Sequence, residues 1–294
     1  MGVVAEPSLL VGLIGAGIQQ SLSPAMHEEE ARCHGLRLHY QLIDLDRSGA
    51  GAESLPMPLS AARVMGFAGL NITYPCKQAV IPLLDDLSED ARAIGAVNTV
   101  VCRDGKLTGH NTDGSGWSWA FRREMPNADL TCVVLLGAGG AGSAIAHAVL
   151  RLGAQRLVVV DTQHQRAAEL VKNLNLIFGA RAEANSDVAA ALKSATGLIH
   201  ATPTGMDKSP GMPLPAELLR PDLWVAEVVY FPIETELLKR ARARGCVTLD
   251  GGGMAVGQAV AAFELFTGLA PDAARMNAHF RRLLAARSQP RSGP

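Results

Sequence analysis

The stretch "CVVLLGAGGAGSAIAHAVLRLGAQRLVVVD", Cys132 to Asp161, constrains the fold more than any other part of the chain. An apolar run ends in Gly137-Ala138-Gly139-Gly140-Ala141-Gly142, a complete G-x-G-x-x-G, and an apolar helical stretch and a second apolar run follow it. The second run closes on Asp161, nineteen residues beyond Gly142. A strand, a glycine turn and a helix in that order aim backbone N–H groups and the positive helix end at a pyrophosphate. An acid about 20 residues further on reaches the ribose hydroxyls. The pattern predicts a dinucleotide-binding βαβ unit.

The acid also bears on which dinucleotide binds. A carboxylate accepts hydrogen bonds from ribose hydroxyls and repels a 2′-phosphate, so Asp161 favours NAD over NADP. Arg166, five residues on, pulls the other way, since it either lies over the adenine or pairs with a phosphate; NADP stays open as a second cofactor. From Leu130 to Leu150 the chain has no Asp, Glu, Lys or Arg and is long enough for a membrane span. Its four glycines sit together in the middle, which reads as strand, turn and helix, with no membrane partner.

A second glycine-rich stretch, "VGLIGAGIQQSLSPAMHEEE" from Val11, does not complete the pattern. Gly15 and Gly17 are followed by Gln20 where the third glycine belongs. Pro24 suits a first helical position with Ser23 as N-cap, which leaves Ile18 to Leu22 in a loop ahead of any helix dipole. This loop is expected to bind something other than a nucleotide.

Apolar runs alternate with amphipathic stretches almost throughout: 9–15, 38–45, 65–73, 132–137, 156–161, 197–202 and 223–230 read as strands. That rhythm predicts an α/β fold with mainly parallel sheets, and 294 residues predict two domains. Polar and glycine residues from Asn111 to Trp117 mark one break, and the glycine run from Asp250 to Gly253 marks a return. The expected domains are an α/β substrate domain over 1–113, completed by C-terminal helices over 254–294, and a Rossmann domain over 114–253. The tail ARSQPRSGP is expected to fray.

With 48% hydrophobic and 19% charged residues the chain can bury substantial cores. A net charge of −1 and the lack of a Lys/Arg run argue against a nucleic-acid partner and for a small molecule. Cys33, Cys76, Cys102, Cys132 and Cys246 form no C-x-x-C pair and read as buried thiols in a reducing cytoplasm. The opening MGVVAEPSLL has no basic segment ahead of an apolar core and gives no secretory signal. His27, His34 and Glu28 to Glu30 have metal-ligating chemistry, yet their spacing reads as a solvated helix face, and no metal is expected.

Three first-half segments carry polar residues that core packing does not require: Ser21-Leu22-Ser23-Pro24, Asn71 to Lys77, and Asn98 with Thr112 and Asp113. Each has an ordinary explanation alone, with Ser23 and Asp113 as helix caps, Asn71 as a turn residue and Lys77 as a solvated charge. Together SLSPAMHE, NITYPCK, GAVNT, GHNTDGSG, GAGGAG, ATPTGM, VVYFPIETELLKRA and the Gly-Met-x-x-x-Gln-x-x-x-x-Phe-Glu ending at Glu264 resemble the shikimate/quinate dehydrogenase family, in order and over nearly the whole chain.

That resemblance implies an oxidoreductase acting on a cyclohexane or cyclohexene carboxylic acid. It implies that Ser21 and Ser23 hold the substrate carboxylate and that Lys77 and Asp113 are the catalytic pair. It further implies that Asn71, Thr73, Asn98, Thr112, Tyr230 and Gln258 line the ring hydroxyls. Thr202, Pro203, Met206, Val228, Gly251 and Met254 join the glycine turn, Asp161 and Arg166 in the cofactor set, in a cleft between the domains. The second serine of S-x-S fits the shikimate-type members, with quinate a weaker substrate. Quinate or an amino analogue as preferred substrate, or a non-catalytic sensor of the same fold, are the alternatives. A folate-linked or amino-acid dehydrogenase of similar build is opposed by the S-x-S loop. Monomer and homodimer are both open. The chain departs from the family pattern at His200 and Glu227, where asparagine and aspartate are usual, and at Cys76.

Overall fold

The computed structural model describes residues 8–288. The first residues of the N-terminal stretch read for a targeting signal, 1–7, and the end of the tail, 289–294, lie outside them. The chain divides into two compact units, Met1–Thr112 with Val256–Pro294, and Asp113–Ala255.

The first unit runs β1 (Ser8–Gly15), α1 (Ser23–Cys33), β2 (Arg37–Asp44), α2 (Leu45–Ser48), α3 (Pro56–Val64), β3 (Gly69–Ile72), β4 (Asp86–Leu87), α4 (Glu89–Ile94), β5 (Thr99–Arg103) and β6 (Lys106–His110). Its sheet has the order β2-β1-β3-β5-β6-β4. β1 pairs in parallel with β2 and β3, and β4 with β6, while β5 is antiparallel to both neighbours. The antiparallel hairpin departs from the expected parallel rhythm. Its signal is Asp104-Gly105, whose φ values of 51° and 71° make the two-residue turn that suits a twisted hairpin.

The second unit runs α5 (Asp113–Glu124), β7 (Cys132–Leu136), α6 (Gly140–Arg151), β8 (Arg156–Val160), α7 (His164–Phe178), β9 (Ala182–Asn185), α8 (Val188–Leu192), β10 (Gly197–His200), β11 (Trp224–Glu227), α9 (Glu236–Ala243) and β12 (Thr248–Leu249). All its strand pairs are parallel, in the order β12-β11-β10-β7-β8-β9. This is the doubly wound dinucleotide-binding order, with the crossover reversing between β7 and β10. Successive residues of β7 enter opposite cores, Val133 and Leu135 on one face, Cys132, Val134 and Leu136 on the other, as a sheet covered on both faces requires. The charge-free stretch 130–150 is accordingly a strand, a turn and a buried helix. Among the described residues no helix is long and apolar enough to cross a membrane.

α10 (Gly252–Thr267) and α11 (Ala273–Ser288) follow, and the glycine run from Asp250 to Gly253 leads into α10. Phe263 and Phe266 of α10 pack in the first unit's core with Val11, Leu13 and Tyr40. Glu30, in the middle of α1, ties down the start of α11: its carboxylate accepts from the Asp272 N–H (2.8 Å) and from Arg275 Nε (2.8 Å) and Nη2 (2.5 Å).

Several expectations are corrected. The face of α1 carrying His27 and Glu30 is buried, each about 1% exposed, because the C-terminal helices cover it. Cys33 is exposed and Cys102 half-buried; only Cys76, Cys132 and Cys246 are interior thiols. The run at 65–73 forms a strand only over Gly69–Ile72, since Met65 still caps α3. The run at 223–230 ends as a strand at Glu227: the Val228 N–H still reaches His200 O across the ladder (3.1 Å) while sharing itself with the Glu227 carboxylate, and the Val229 N–H turns to that carboxylate. Of the tail expected to fray, Ala286 to Ser288 are the last turn of α11.

Candidate active site

The glycine turn is shaped by close approach. Gly137 has φ +103°, and a Cβ there would meet Ala201 O at 2.6 Å and Thr202 Cγ2 at 3.1 Å, so the turn passes against the exit of β10. At Gly142 a Cβ would meet Gly137 O at 2.0 Å, which is the tight helix-to-strand packing the third glycine provides. Gly139 is the N-cap of α6, no side chain caps that helix, and nothing lies within 4 Å of the Gly139 Cβ direction. The first-turn N–H groups from Gly140 to Gly142 have no carbonyl partner within their helix. An uncapped helix start beside open space fits a pyrophosphate.

Asp161 follows the last residue of β8 and holds the turn. Its Oδ2 accepts from the Ala138 N–H at 2.8 Å and its Oδ1 from the Gln163 N–H at 2.8 Å. A carboxylate has about four acceptor positions, so capacity for ribose hydroxyls is left. Arg166 is exposed in the first turn of α7.

His200 and Glu227, two of the three departures from the family pattern, are partners. They are register neighbours at the ends of β10 and β11, and His200 Nδ1 lies 2.8 Å from Glu227 Oε1, with both side chains fully buried. Beyond them Thr202 is half-buried and Pro203 and Met206 are exposed. Gly251 sits where a Cβ would meet Val228 O at 2.4 Å, and Met254 belongs mainly to the core of this unit. Tyr230 and Val228 are half-buried, and Asp113 is the buried first residue of α5 rather than a cap outside it.

In the first unit, polar groups that are scattered in sequence form one buried network. Asn98 Nδ2 donates to Thr112 Oγ1 (2.9 Å) and Gln258 Oε1 (3.1 Å), and Asn98 Oδ1 accepts from the Thr112 N–H (2.7 Å) and the Thr99 hydroxyl (3.1 Å). Asn71 Nδ2 donates to Asn98 O and Thr99 Oγ1, and its Oδ1 accepts from the Tyr40 hydroxyl at 2.8 Å. The Asn71 amide is thus committed to the protein on both ends. Lys77 is half-buried, and its carbonyl accepts from the Val97 N–H at 2.8 Å, which brings NITYPCK beside GAVNT. Burial pushes the neighbouring Cys76 thiol up to about 11.

The first glycine loop is built by the same device as the second. A Cβ at Gly15 would meet Thr73 Cγ2 at 2.3 Å, so this glycine admits Thr73. Asp44, the last residue of β2, accepts from the Gly17 N–H (2.8 Å), the Ile18 N–H (3.2 Å) and Gln19 Nε2 (3.0 Å). Burial opposes its charge, but these bonds and one from the Asp46 N–H outweigh that and hold its pKa below the usual carboxylate value. The loop leads to Ser21, whose Oγ accepts from the Ser23 N–H at 3.2 Å. Ser23 is the first residue of α1 and not its N-cap; Leu22 takes that position in helical geometry, without a side-chain cap.

Sequence reasoning passed over Asp44, Tyr40, Thr99 and Thr235. Asp44 had a readable signal, since it closes the strand after Gly15-Ala16-Gly17 just as Asp161 closes the strand after the full motif. Among the described residues no cluster of His, Cys, Asp and Glu could hold a metal ion.

An all-parallel sheet in this order, with a glycine turn at its reversal point and a strand-end acid holding that turn, defines a dinucleotide-binding α/β protein. Comparison with known proteins takes the assignment further. The family model for the shikimate dehydrogenase substrate binding domain matches residues 13–100, and that for the shikimate 5'-dehydrogenase C-terminal domain matches residues 251–279. The chain is 58% identical over 283 residues to the shikimate dehydrogenase (NADP(+)) of Streptomyces avermitilis, covering 95% of this chain and 97% of that one. It is 49% identical to a quinate/shikimate dehydrogenase (NAD(+)) of Corynebacterium glutamicum, covering 94% and 99%. The solved quinate dehydrogenase from Corynebacterium glutamicum in complex with NAD superimposes with a TM-score of 0.87 at 47% identity, covering 94% and 100%. The chain belongs to the shikimate/quinate dehydrogenase family, and it is an oxidoreductase that uses a nicotinamide cofactor.

Proposed function

We propose that the chain is an NAD-preferring dehydrogenase that interconverts shikimate and 3-dehydroshikimate at the ring C3 hydroxyl, with quinate a weaker substrate. The observation that carries the NAD preference is Asp161, a strand-end carboxylate bonded to the Ala138 N–H of the glycine turn at 2.8 Å. A negative charge at that position accepts ribose hydroxyls and repels a 2′-phosphate. Relatives named for NADP and for NAD both occur at high identity, so the choice rests on this residue.

A bound nicotinamide dinucleotide would supply the hydride acceptor, and in reverse the donor, for C3. Gly137 to Gly142 and Asp161 would hold the dinucleotide, with Thr202, Pro203, Met206, Val228, Gly251 and Met254 toward its nicotinamide end. The residues of the chain supply the rest of the chemistry. Ser21 and Ser23 donate hydroxyl hydrogen bonds to the ring carboxylate, each contributing about 1.5–3 kcal/mol to a charged acceptor. Lys77 takes the C3 hydroxyl proton as the alcohol is oxidised and returns it in the reverse direction, while the Asp113 carboxylate orients the amine and the hydroxyl. Thr73, Asn98, Thr112, Tyr230 and Gln258 read the remaining ring hydroxyls. Asn71, bonded to Tyr40 and Thr99 as Asn98 is to Thr112 and Gln258, lines the same hydroxyls. The free thiols support a reducing cytoplasmic setting.

Initial rates of nicotinamide reduction with shikimate and quinate, each against NAD and NADP, test the reading. The highest kcat/KM is expected for shikimate with NAD. A preference for NADP removes the role given to Asp161, and a preference for quinate reverses the substrate order. Binding without turnover in all four combinations would point to a sensor.

A further inference from the structure

The end of β10 and the end of β11 are joined by a closed set of buried hydrogen bonds that the reaction itself does not call for. Glu227 Oε1 accepts from the Val228 N–H (2.8 Å), which is shared with His200 O (3.1 Å), and from the Val229 N–H (3.0 Å), and Oε2 accepts from the Thr235 hydroxyl (3.0 Å). Thr235 Oγ1 in turn accepts from the Leu238 N–H (3.3 Å) at the start of α9. With its carboxylate acting only as an acceptor, Glu227 requires a proton on His200 Nδ1, 2.8 Å away. That fixes the ring and leaves Nε2 to bond the Thr202 hydroxyl at 2.5 Å; Thr202 Oγ1 also accepts from the Thr204 N–H at 3.3 Å.

Both ends of this chain of bonds reach segments that shape the dinucleotide site. Thr202 Cγ2 lies where a Cβ on Gly137 would come within 3.1 Å of it, so His200 holds the residue against which the glycine turn is packed. Glu227 holds the Val228–Val229 backbone, whose carbonyls fill the space at Gly251.

We propose that His200 and Glu227 are a coupled pair of positioning residues, in which His200 sets the Thr202 hydroxyl and Glu227 sets the 228–229 backbone for binding of the nicotinamide dinucleotide. The proposal rests on the reading of the Gly137–Gly142 turn and the Thr202 segment as the cofactor site.

The test is a double-mutant cycle read by equilibrium binding of NADH, with NADPH in parallel, followed by fluorescence alongside the thermal midpoint of each protein. H200N keeps an amide donor near the Nδ1 position for Glu227 but stops short of Thr202. T202V removes the hydroxyl. Each single variant is expected to weaken NADH binding at least tenfold, and H200N/T202V to bind no more weakly than T202V, because both remove one interaction. Losses that multiply in the double variant, or wild-type affinity in H200N beside a weakened T202V, overturn the coupling and leave the cofactor site standing. Wild-type affinity in T202V overturns the assignment of the 202 segment and the proposal with it. If H200N does not fold, T202S, which keeps the hydroxyl that His200 Nε2 bonds, is compared with T202V: near wild-type NADH affinity in T202S beside the loss in T202V is expected, and equal losses in the two overturn the proposal.

Discussion

The Asp161 carboxylate accepts the Ala138 N–H at 2.8 Å, so the acid that ends β8 is also a strut of the glycine turn. Two effects follow from removing it. D161A is expected to weaken NAD binding roughly 10- to 100-fold, the range for losing hydrogen bonds of about 1.5–3 kcal/mol to a charged group. It is also expected to narrow the gap between NAD and NADP, because the repulsion toward a 2′-phosphate goes with the charge. Steady-state kcat/KM for both cofactors in wild type and variant measures this; an unchanged ratio would mean that Asp161 serves only the turn.

Lys77 lies in the segment that follows β3, with its carbonyl bonded to the Val97 N–H, so its backbone is fixed whatever its side chain does. K77A is therefore expected to fold normally and to lose about 10²- to 10⁴-fold in kcat, the usual contribution of a positioned acid or base, with KM for shikimate changed only a few-fold. Near-normal turnover would take Lys77 out of the mechanism.

Asp44 supports the loop that ends in Ser21 and Ser23 through the Gly17, Ile18 and Gln19 donors. D44A leaves those donors without an acceptor and lets the loop move. KM for shikimate is expected to rise about tenfold or more, since positional error in a binding loop costs affinity, while the dissociation constant for NADH stays within about twofold. A comparable loss in both would show a general loss of stability instead.

The contrast between these acids explains how far the sequence could be read. Asp161 was legible because a complete glycine motif, a helix and a second strand all precede it at a known spacing. Asp44 does the same mechanical task, yet its loop lacks the third glycine, and an incomplete motif carries no rule about where the acid should be. The α/β order was legible from the apolar runs, whereas the β5–β6 hairpin was not, because Asp104-Gly105 is a local signal set inside a parallel rhythm. The pairing of His200 with Glu227 was invisible for another reason: twenty-seven residues separate two strand ends that only the sheet register makes neighbours. The same holds for Tyr40 and Asn71, thirty-one residues apart. His27 and Glu30 were misread as solvated because an apolar stripe on α1 is weak, and the helices that cover it come at the far end of the chain.

His27 also gives the chain a predictable acid sensitivity. It is fully buried among Tyr40, Phe263 and Phe266, and burial drives its pKa down from 6.5 to about 4, against a smaller opposing effect of Glu30. Between about pH 6.5 and 4 the unfolded chain binds a proton at His27 that the folded chain does not, so folding stability falls as pH falls through that window and levels off below it for this group. The shift corresponds to a loss of up to about 3 kcal/mol. Glu30 acts in a lower window. Burial opposes its charge, but its bonds from Arg275 and the Asp272 N–H prevail and depress its pKa, so its contribution is present above the ordinary carboxylate range and is lost as pH falls through the folded value. H27F, with an aromatic ring of similar size in the same cluster, is expected to reduce the slope of the denaturation midpoint between pH 6.5 and 4, with His110, whose pKa burial also lowers, keeping part of it, and to leave the decline at lower pH in place. Urea titrations of wild type and H27F from pH 7 to 3.5 measure both windows, and a wild-type slope retained in H27F would assign the upper one to other groups.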